Sequence, residues 1–509
     1  MKSYYITTPI YYCNDKPHLG HAYTNVACDI IARYHKLKNE DVYFLTGTDE
    51  HGQKVEQAAK LRKISPKKLT DELSKNFLEL TKFLNCSNDD FIRTTEIRHK
   101  ESVHILWNKL IENDEIYLDK YKGWYSIRDE AFFDEKELIK KDSVFYAPSG
   151  AKVEWIEEES YFFKLSKWKD KLLEFYSNNP DFVAPITRFN EVKSFVKGGL
   201  NDLSVSRTTF KWGIGVPNND NHIIYVWLDA LQNYLSALKF PDTNSLLYKK
   251  YWPGVHIVGK DILRFHSVYW PAFLMAANLP PPKRVFAHGW FTNEGNKISK
   301  SLGNIIDPIK IINEYGLDEF RYFLFSQVPF GDDGDFSLKA LKNRINNDLS
   351  NDYGNLVQRV CSFIYNNCEG KIIYDDSYNE EDNNLFNSSI NLFESYKKSM
   401  DKEEIDKGIK HIFKLISLAN IYVDKQAPWK LKKINTQRMN TVLFTLIEII
   451  KRIAIMTYPI MPNKSKKLLL YLNQNIDEIS FSNFHSINQN NIIINKPEPL
   501  FPKYEDKID

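Results

Sequence analysis

Two lysines on a glycine-flanked polar loop are the first residues whose type and spacing suggest chemistry. The stretch EGNKISKSLGNIID, residues 294–307, carries Lys297 and Lys300 with serines between and after them. Two mobile cations three residues apart suit a triphosphate, whose negative charge they can bind and then release. A solvated lysine-rich loop is the alternative. The similar string KISPKK supports this alternative. Ser65 and Pro66 there predict only the cap and first residue of a helix.

A second candidate is the segment PHLGH, in which His18, Gly20 and His21 follow a β-rich stretch and open a helical pattern. The N–H groups and partial positive charge of a helix N-terminus suit phosphate. Gly20 has no Cβ, so a flat nucleotide can lie against the backbone. The two imidazoles add hydrogen-bond donors. Local capping of the helix is the alternative for the histidine pair.

Polar residues also follow later apolar segments. Asp49 and His51 lie in TDEHG, Lys260 and Asp261 follow HIVG, and the lysine loop follows VFAHGW. Taken alone, TDEHG predicts a solvated turn and Asp261 a helix cap. Parallel sheets, however, place ligands beyond the carboxyl ends of their strands. An H-x-G-H after the first strand and a K-x-S-K-S after the last strand therefore favour one phosphate-binding site.

The elements that must position these residues are those of an α/β fold. SYYITTPIYY predicts a strand, YTNVACDIIARYHKLK an amphipathic helix and DVYFLTG a second strand, which is the pattern of a βαβ unit. We predict a doubly wound parallel-sheet (Rossmann-type) catalytic domain with an inserted small β-rich module, followed by an α-helical bundle domain. The predicted bounds are 1–115 and 223–345 for the two halves of the catalytic domain, 116–222 for the inserted connective module, and 346–509 for the helical domain and C-terminal tail.

Composition excludes several protein classes. The 509 residues are 43% hydrophobic, and the formal net charge of +2 neither demands nor excludes a nucleic-acid partner. The five cysteines include no C-x-x-C pair, which fits a reducing compartment and argues against a disulfide framework. The N-terminus has no signal-peptide pattern. The apolar run TVLFTLIEIIKRIAIMTYPIMP is interrupted by Glu448, Lys451 and Arg452, so it predicts a core helix and no membrane span. We expect a cytoplasmic protein.

These motifs, together with several longer segments, resemble those of a known family. HLGH followed by KISKS is similar to the two signature motifs of the class I aminoacyl-tRNA synthetases. TTPIYYCNDKPHLGHAYTNVACDIIARYHKL, FLTGTDEHG, YVWLDALQNY, GKDILRFHSVYWP and FAHGWFTNEGNKISKSLGN resemble the methionyl-tRNA synthetase family in particular. The resemblance covers essentially the whole chain and is densest up to about residue 330.

The resemblance implies that methionine is activated with ATP and Mg²⁺ and then transferred to tRNA(Met). The residues implied in ATP binding are His18, Gly20, His21, Asp261, His288, Lys297 and Lys300. His18, His21, Lys297 and Lys300 are the implied catalytic residues, with the lysines stabilising the departing pyrophosphate. The implied methionine-binding residues are Ile10, Tyr12, Asp49, Trp227, Ala230, Tyr234, Ile262 and His266. Asp49 would pair with the α-amino group, Tyr234 and His266 would offer weak donors to sulfur, and Arg207 would help to order the site.

For tRNA, the resemblance implies that Trp429 stacks on an anticodon base and that Asn347 reads a base edge. The family often has an arginine four residues after Asn347, but this chain has Asn351 there, so Arg359 or nearby lysines would have to compensate. Many family members bind zinc through cysteines of the inserted module, whereas residues 116–222 contain no cysteine. We therefore expect no metal ligands and no zinc, with aromatic packing in its place. We also expect a monomer without membrane contact.

Other interpretations remain open at this level. The isoleucine, valine and leucine enzymes of class I carry editing insertions larger than residues 116–222, and the cysteine enzyme uses a cysteine-bound zinc. A small-molecule nucleotidyltransferase shares the H-x-G-H pattern but does not need the helical domain. An RNA-binding protein on an inactive synthetase scaffold would be expected to lack His21 or Lys300, and both are present.

Overall fold

The computed structural model describes residues 2–129, 131–133, 135–141, 144–293, 296–297, 306–374, 376–477, 479–487 and 490–505. The strands in chain order are β1 (Ser3–Thr7), β2 (Tyr11–Tyr12), β3 (Asp41–Asp49), β4 (Asp90–Arg93), β5 (Ile116–Ser126), β6 (Ala131–Phe133), β7 (Ile139–Lys141), β8 (Val144–Tyr146), β9 (Glu154–Phe163), β10 (Val183–Ala184), β11 (Leu203–Ser204), β12 (Ser206–Arg207), β13 (Gly215–Val216), β14 (Asn219–Ile224), β15 (Val255–Gly259), β16 (Arg284–His288), β17 (Phe291–Asn293), β18 (Asn296–Lys297), β19 (Gly334–Phe336), β20 (Lys371–Ile372) and β21 (Ile492–Ile493).

The α-helices in chain order are α1 (Leu19–Leu37), α2 (Gln53–Leu61), α3 (Pro66–Phe83), α4 (Ile97–Glu112), α5 (Lys169–Asn178), α6 (Ile186–Lys197), α7 (Val226–Leu231), α8 (Asn233–Ser236), α9 (Leu246–Tyr251), α10 (Trp270–Ala276), α11 (Pro308–Tyr315), α12 (Leu317–Ser326), α13 (Leu338–Arg344), α14 (Asn355–Asn367), α15 (Glu380–Met400), α16 (Ile405–Gln426), α17 (Pro428–Ile434), α18 (Thr436–Thr457), α19 (Pro462–Tyr471) and α20 (Ser482–His485). Phe265–Tyr269 and Ile345–Gly354 are π-helical, and Glu135–Glu137, Leu165–Trp168 and Lys260–Ile262 are 3₁₀ turns.

The chain divides into two compact units. The sheet unit comprises Ser3–Pro17 and Tyr43–Ala287. The helical unit comprises Met1–Lys2, His18–Val42 and His288–Asp509. Each unit is described separately below.

The sheet unit is built on a sheet with the strand order β10–β16–β15–β1–β3–β2, in which β4 also pairs with β3. The pairings of β1 with β15, of β2 and β4 with β3, and of β10 with β16 are parallel. From β1 the chain moves outward to β3 on one side and later returns to β15 and β16 on the other. The junction of β1 and β15 is therefore the switch point of a doubly wound sheet, as predicted, and ligand-binding residues are expected beyond it.

The predicted inserted region contains both β-structure and helices. Antiparallel pairing of β5 with β9 begins at Ile116, which is the first residue predicted for the module. Near its tip Ala147, Ala151 and Val153 form a small apolar core, against which Trp124, Phe133, Leu138 and Phe145 pack. The sequence did not predict α5 or α6 within this region. Nor did it predict that β10, which lies between those helices, would join the central sheet through β16.

In the helical unit, α18 is the predicted core helix. Nearly all of it is buried, including the three charged residues that interrupt its apolar run. Lys451 forms an ion pair with Glu448 at 2.6 Å, and Arg452 donates to Ser389 Oγ at 2.5 Å. Pairing of this kind is what allows a charged side chain to be buried. Across the part of the chain that the structure describes, no helix is long and apolar enough to cross a membrane.

The helix that begins within KISPKK, in the sheet unit, starts as predicted. Ser65 is the N-cap of α3 and its hydroxyl accepts from Lys68 N at 3.2 Å, and Pro66 is the first helical residue. The near-copy of the lysine loop thus has a purely structural explanation. Any special role for Lys297 and Lys300 must therefore come from their place in the fold.

Candidate active site

In the sheet unit, the predicted methionine-binding residues begin at paired strand ends. Tyr12 on β2 and Asp49 on β3 are partners in a parallel pairing, and Cys13 N donates to the carbonyl oxygen of Asp49 at 2.9 Å. Asp49 is only 7% exposed, while Tyr12 is half-buried. The structure thus places a carboxylate and an aromatic ring side by side at the carboxyl end of the sheet.

The apolar residues of the prediction share one environment. Ile10, Tyr12, Trp227 and Ile262 are all partly buried and pack against the same core of the sheet unit. Trp227 stacks face to face on Phe265, with ring centroids 3.8 Å apart and planes 7° apart. Phe265 was missed by the sequence prediction, although its position one residue before His266 was a usable signal. A partly open apolar lining of this kind suits an unbranched thioether.

Tyr234 and His266 form the buried base of this lining, each 1% exposed. His266 Nδ1 lies 2.9 Å from the carbonyl oxygen of Ile262, so this nitrogen carries the hydrogen and donates it. Burial lowers the pKa of His266 to about 4, so the ring is neutral at pH 7 and Nε2 has no hydrogen. Nε2 therefore accepts from the Tyr234 hydroxyl at 2.7 Å.

The Tyr234 hydroxyl hydrogen and the His266 N–H are both used within the protein in this arrangement. Their role as weak donors to a thioether sulfur stays a prediction. His266 also lies in the π-helical segment Phe265–Tyr269, a distortion that is frequent at functional sites. We assign to the pair a role in shaping the lining.

Arg207 is buried behind the same region. Its Nη1 donates to Ser204 Oγ at 2.8 Å and to the carbonyl oxygen of Ser206 at 2.6 Å. Its guanidinium also lies over the rings of Tyr125 and Tyr225, 5.3 Å and 4.5 Å from their centroids. Tyr225 is the N-cap residue of α7, the helix that carries Trp227 and Ala230. The contacts are those of a residue that orders this helix.

Asp261 and Ile262 lie on the 3₁₀ turn that directly follows β15. Asp261 is exposed and Ile262 half-buried. Residues 8–10 follow β1, the neighbouring strand, so both segments lie at the switch point of the sheet. The structure therefore places Tyr12, Asp49, Asp261 and Ile262 at the carboxyl ends of the sheet, where a ligand is expected.

In the helical unit, His18 and His21 cap the N-terminus of α1. Gly20 N donates to His18 Nδ1 at 3.1 Å, and His18 N donates to His21 Nδ1 at 3.0 Å. The ring centroids are 3.9 Å apart. Burial lowers the pKa of His21, and the adjacent His18 lowers it further, so His21 is neutral at pH 7.

The capping geometry also determines the tautomers. Because Nδ1 of each ring accepts a backbone N–H, the hydrogen of a neutral imidazole must be on Nε2. Capping was the alternative to phosphate binding in the sequence, yet it leaves His18 and His21 as Nε2–H donors. A phosphate oxygen is an acceptor for such a group. The two interpretations are therefore compatible.

His288, Lys297 and Lys300 differ in how far the structure describes them. His288 is 5% exposed; its Nδ1 donates to the carbonyl oxygen of Gly289 at 2.8 Å and its Nε2 lies 2.9 Å from Thr24 Oγ1. Its contact with ATP stays a prediction. Lys297 lies on β18, where its backbone pairs with Thr292 on β17. Lys300 lies outside the described residues.

The predicted anticodon residues lie on helices of the helical unit. Trp429, on α17, is 40% exposed. The guanidinium of Arg359, on α14, lies 5.3 Å from the Trp429 ring centroid and pairs with Asp424 at 2.5 Å. Asn347 and Asn351 are exposed on the π-helical segment Ile345–Gly354. An exposed indole beside a guanidinium is a suitable platform for an unpaired base.

Metal ligands were not predicted for the inserted module. Within the described ranges, no group of three or more His, Cys, Asp or Glu side chains is arranged to hold a metal ion. The absence of zinc stays a prediction. Chemically, the two sets of residues offer a buried carboxylate with an apolar lining in the sheet unit, and neutral N–H donors at a helix N-terminus in the helical unit.

Comparisons with known proteins extend over the whole chain. The family described as "tRNA synthetases class I (M)" matches residues 4–143 and 134–361, and the "Anticodon binding domain of methionyl tRNA ligase" matches residues 374–508. The methionine–tRNA ligase of Rickettsia felis is 55% identical over 516 aligned positions, covering 99% of this chain and 99% of that protein. The methionine–tRNA ligase of Brucella melitensis is 49% identical, with 99% and 98% covered. The structure of Mycobacterium tuberculosis methionyl-tRNA synthetase in complex with methionyl-adenylate matches with a TM-score of 0.96 at 44% identity, over 99% of this chain and all of that one.

Proposed function

The chain belongs to the methionine–tRNA ligase family, and from that premise we propose which of its residues carry each step of the reaction. A methionine carboxylate oxygen attacks the α-phosphorus of ATP, the bond to the bridging oxygen breaks, and pyrophosphate leaves. The terminal ribose hydroxyl of tRNA(Met) then attacks the carbonyl carbon of methionyl-adenylate, and AMP leaves. The observation that best supports the assignment is the buried Asp49 carboxylate paired in register with Tyr12 beside the apolar lining.

Methionine binding is assigned to the sheet unit. The buried carboxylate of Asp49 accepts hydrogen bonds from the α-ammonium group and balances its charge. The thioether lies against Ile10, Tyr12, Trp227, Ala230 and Ile262, with Tyr234 and His266 below it. The Tyr234 hydroxyl and the His266 ring are hydrogen-bonded to each other, which allows both polar groups to be buried below the thioether. Arg207 orders α7 through Tyr225.

ATP binding and activation are assigned to the residues after the strand ends and at the start of α1. His18 and His21 donate Nε2–H groups to phosphate oxygens, and Gly20 leaves the backbone accessible. Asp261 and His288 complete the nucleotide site. Lys297 and Lys300 stabilise the charge that develops on the departing pyrophosphate. The enzyme's contribution is mainly orientation and charge stabilisation, so no covalent enzyme intermediate is required.

Mg²⁺ fits this scheme as a companion of ATP. The ion commonly keeps several waters and is held mainly by substrate phosphates, so it does not need a cage of protein carboxylates. No such cage is found among the described residues. When bound, Mg²⁺ would neutralise part of the triphosphate charge.

The anticodon is assigned to the helical unit. Trp429 stacks on one base and Asn347 contacts a base edge. Asn351 stands where the family often has arginine, and we assign the compensating cation to Arg359, whose guanidinium lies over the Trp429 ring. Domain bounds of 1–115, 116–222, 223–345 and 346–509 complete the proposal.

Three further assignments concern the environment of the enzyme. We propose that the inserted module holds no zinc, because its tip is stabilised by the apolar core of Ala147, Ala151 and Val153 with the rings packed on it. We also propose that the protein acts as a cytoplasmic monomer. Sedimentation of the purified protein at several concentrations tests the monomer.

The first experiment is amino-acid-dependent ATP–pyrophosphate exchange. Methionine is compared with isoleucine, leucine, valine and cysteine, all with Mg²⁺ and with or without a zinc-selective chelator. Exchange with methionine alone, unaffected by the chelator, supports the site and the metal-free module. Exchange with another of these amino acids contradicts the pocket assignment. In the same assay Asp49→Asn should raise KM for methionine much more than KM for ATP, since it removes the charge that faces the ammonium group.

A further inference from the structure

A buried carboxylate links three elements of the sheet unit. Asp229, on α7, is fully buried, and each of its oxygens accepts from a different imidazole. Oδ2 accepts from His51 Nδ1 at 2.7 Å, and Oδ1 accepts from His99 Nε2 at 2.8 Å. His51 follows β3, and His99 lies on α4. The carboxylate thus lies where these elements meet.

The carboxylate is ionised at neutral pH. Burial by itself raises the pKa of Asp229, but His51 and His99 more than offset this and lower its pKa to about 2. Both oxygens are therefore acceptors under all physiological conditions. Hydrogen bonds to an ionised group are stronger than those between neutral groups. The connection is accordingly a firm one.

Additional hydrogen bonds hold α4 against the helices around Asp229. His99 Nδ1 lies 3.1 Å from Ser236 Oγ on α8. Gln232 Nε2, between α7 and α8, donates to Ser102 Oγ on α4 at 2.7 Å. His99 and Ser102 are three residues apart on α4, so they present one face of that helix. The helix that carries the thioether lining is therefore held from behind at several points.

The segment after β3 is held equally firmly on its other side. Glu50, which precedes His51, is fully buried and accepts from Arg93 Nε at 2.6 Å and Nη2 at 3.0 Å. It also accepts from Thr95 Oγ1 at 2.5 Å. Asp49 lies next to Glu50 and two residues before His51. Its position therefore depends on both of these side chains.

We propose that Asp229 is a positioning residue for substrate: through His51 it sets the spacing between Asp49 and the helix that carries Trp227. Asp49 binds the α-ammonium group of methionine, and α7 contacts its thioether. The spacing between them therefore determines the length of side chain that the enzyme accepts. Asp229 touches neither end itself. The inference rests on the proposed function of Asp49 and Trp227 and adds a determinant of length selectivity to it.

The test uses exchange assays with methionine, norvaline and ethionine, whose side chains differ in length. His51→Leu removes the donor to Asp229, whereas His51→Asn keeps an N–H close to the place of Nδ1. His51→Leu should raise KM for methionine by about ten- to a hundredfold, because a displacement of about 0.5–1 Å in groups that position a substrate costs about that much. It should leave KM for ATP unchanged and reduce the preference for methionine over both analogues. His51→Asn should restore the preference.

A matched control distinguishes positioning from general loss of stability. His35 Nδ1 also pairs with a carboxylate, Glu40 Oε2, at 2.6 Å, with both side chains nearly buried, and no part of the proposed site includes it. His35→Leu should lower the melting temperature while leaving the methionine preference as in the parent. An unchanged preference in His51→Leu, or an equal change in His35→Leu, would overturn the inference.

A second variant covers a failure of His51→Leu to fold. Asp229→Asn keeps the size of the side chain and removes its charge, and it should reduce the same preference. A folded Asp229→Asn enzyme with the parent's preference would overturn the inference. A parent protein without methionine-dependent exchange would instead contradict the proposed function, so the two failures are distinguishable.

Discussion

Replacing Gly20 by alanine should separate nucleotide binding from helix stability. A Cβ at Gly20 would lie 3.1 Å from Cε1 and 3.3 Å from Nδ1 of His18. Ordinary contacts between such atoms lie at about 3.5–4.0 Å, so the imidazole must move by about 0.5 Å. The movement stretches the bond from Gly20 N to His18 Nδ1, which is already 3.1 Å long. It also displaces the Nε2–H group that the proposed function assigns to a phosphate oxygen.

The two effects on stability oppose each other. Alanine in place of glycine favours a helix by about 1 kcal/mol. Weakening the cap costs about 0.5–2 kcal/mol, so the melting temperature should change by only a few degrees. Catalysis has no such compensation. A misplacement of about 1 Å can cost about a hundredfold, so a shift of half that size should lower kcat/KM for ATP about tenfold.

Pyrophosphate exchange at varied ATP, together with thermal unfolding, measures both effects. Gly215→Ala is the matched control, because a Cβ there would meet no atom within 4 Å. It should exchange at the parent rate. The reasoning is refuted if Gly20→Ala keeps the parent's kcat/KM for ATP.

Three further predictions follow from other contacts. Trp429→Ala should leave pyrophosphate exchange intact. It should raise KM for tRNA in charging by about five- to a hundredfold, because base stacking on an aromatic ring contributes about 1–3 kcal/mol. Intact charging would contradict the anticodon assignment. Arg321→Met should lower the free energy of unfolding in urea by about 1.5–3 kcal/mol, because buried Asp29 would lose the Arg321 Nη2 donor at 2.7 Å while it keeps Arg33. A loss under about 1 kcal/mol would show the pair to be dispensable. The pKa of Asp229 is about 2, below its ordinary value of 3.8. Its contribution to stability is therefore complete above pH 3.8 and is lost progressively as the pH falls from 3.8 to about 2. Between pH 5 and pH 3 the urea unfolding free energy should fall less in Asp229→Asn than in the parent, and equal losses would contradict the assignment.

Local signals in the sequence were reliable where neighbouring residues determine the structure. Ser65 and Pro66 predicted the start of α3, and the buried α18 followed from an apolar run whose charges could pair within one turn. The βαβ pattern predicted the parallel sheet and the edge at which Tyr12 and Asp49 lie. In each case the signal comes from residues close together in the sequence or from the regular spacing of apolar residues within one helix or strand.

Interactions between segments that are distant in the sequence could not be predicted from the sequence. Nothing in the sequence around β10 shows that a two-residue strand between α5 and α6 joins the central sheet, because its partner β16 lies about 100 residues further along the chain. Likewise, the use of the Tyr234 and His266 hydrogens depends on the carbonyl oxygen of Ile262. Asp229 is one polar residue in the otherwise apolar α7, and its partners lie 178 and 130 residues away in the sequence.

The protonation of the histidine pair explains why the proposed site needs lysines as well. His21 is neutral at pH 7 because burial and His18 lower its pKa, so it can donate a hydrogen bond but supplies no positive charge. The transition state of methionine activation nevertheless concentrates negative charge on the departing pyrophosphate. In general, cations on a loop can bind the developing charge in the transition state and then release the pyrophosphate. A cation fixed at the helix N-terminus would bind ATP and pyrophosphate equally well. In the proposed site, neutral donors held by the cap would orient the triphosphate, and Lys297 and Lys300 would stabilise the departing pyrophosphate.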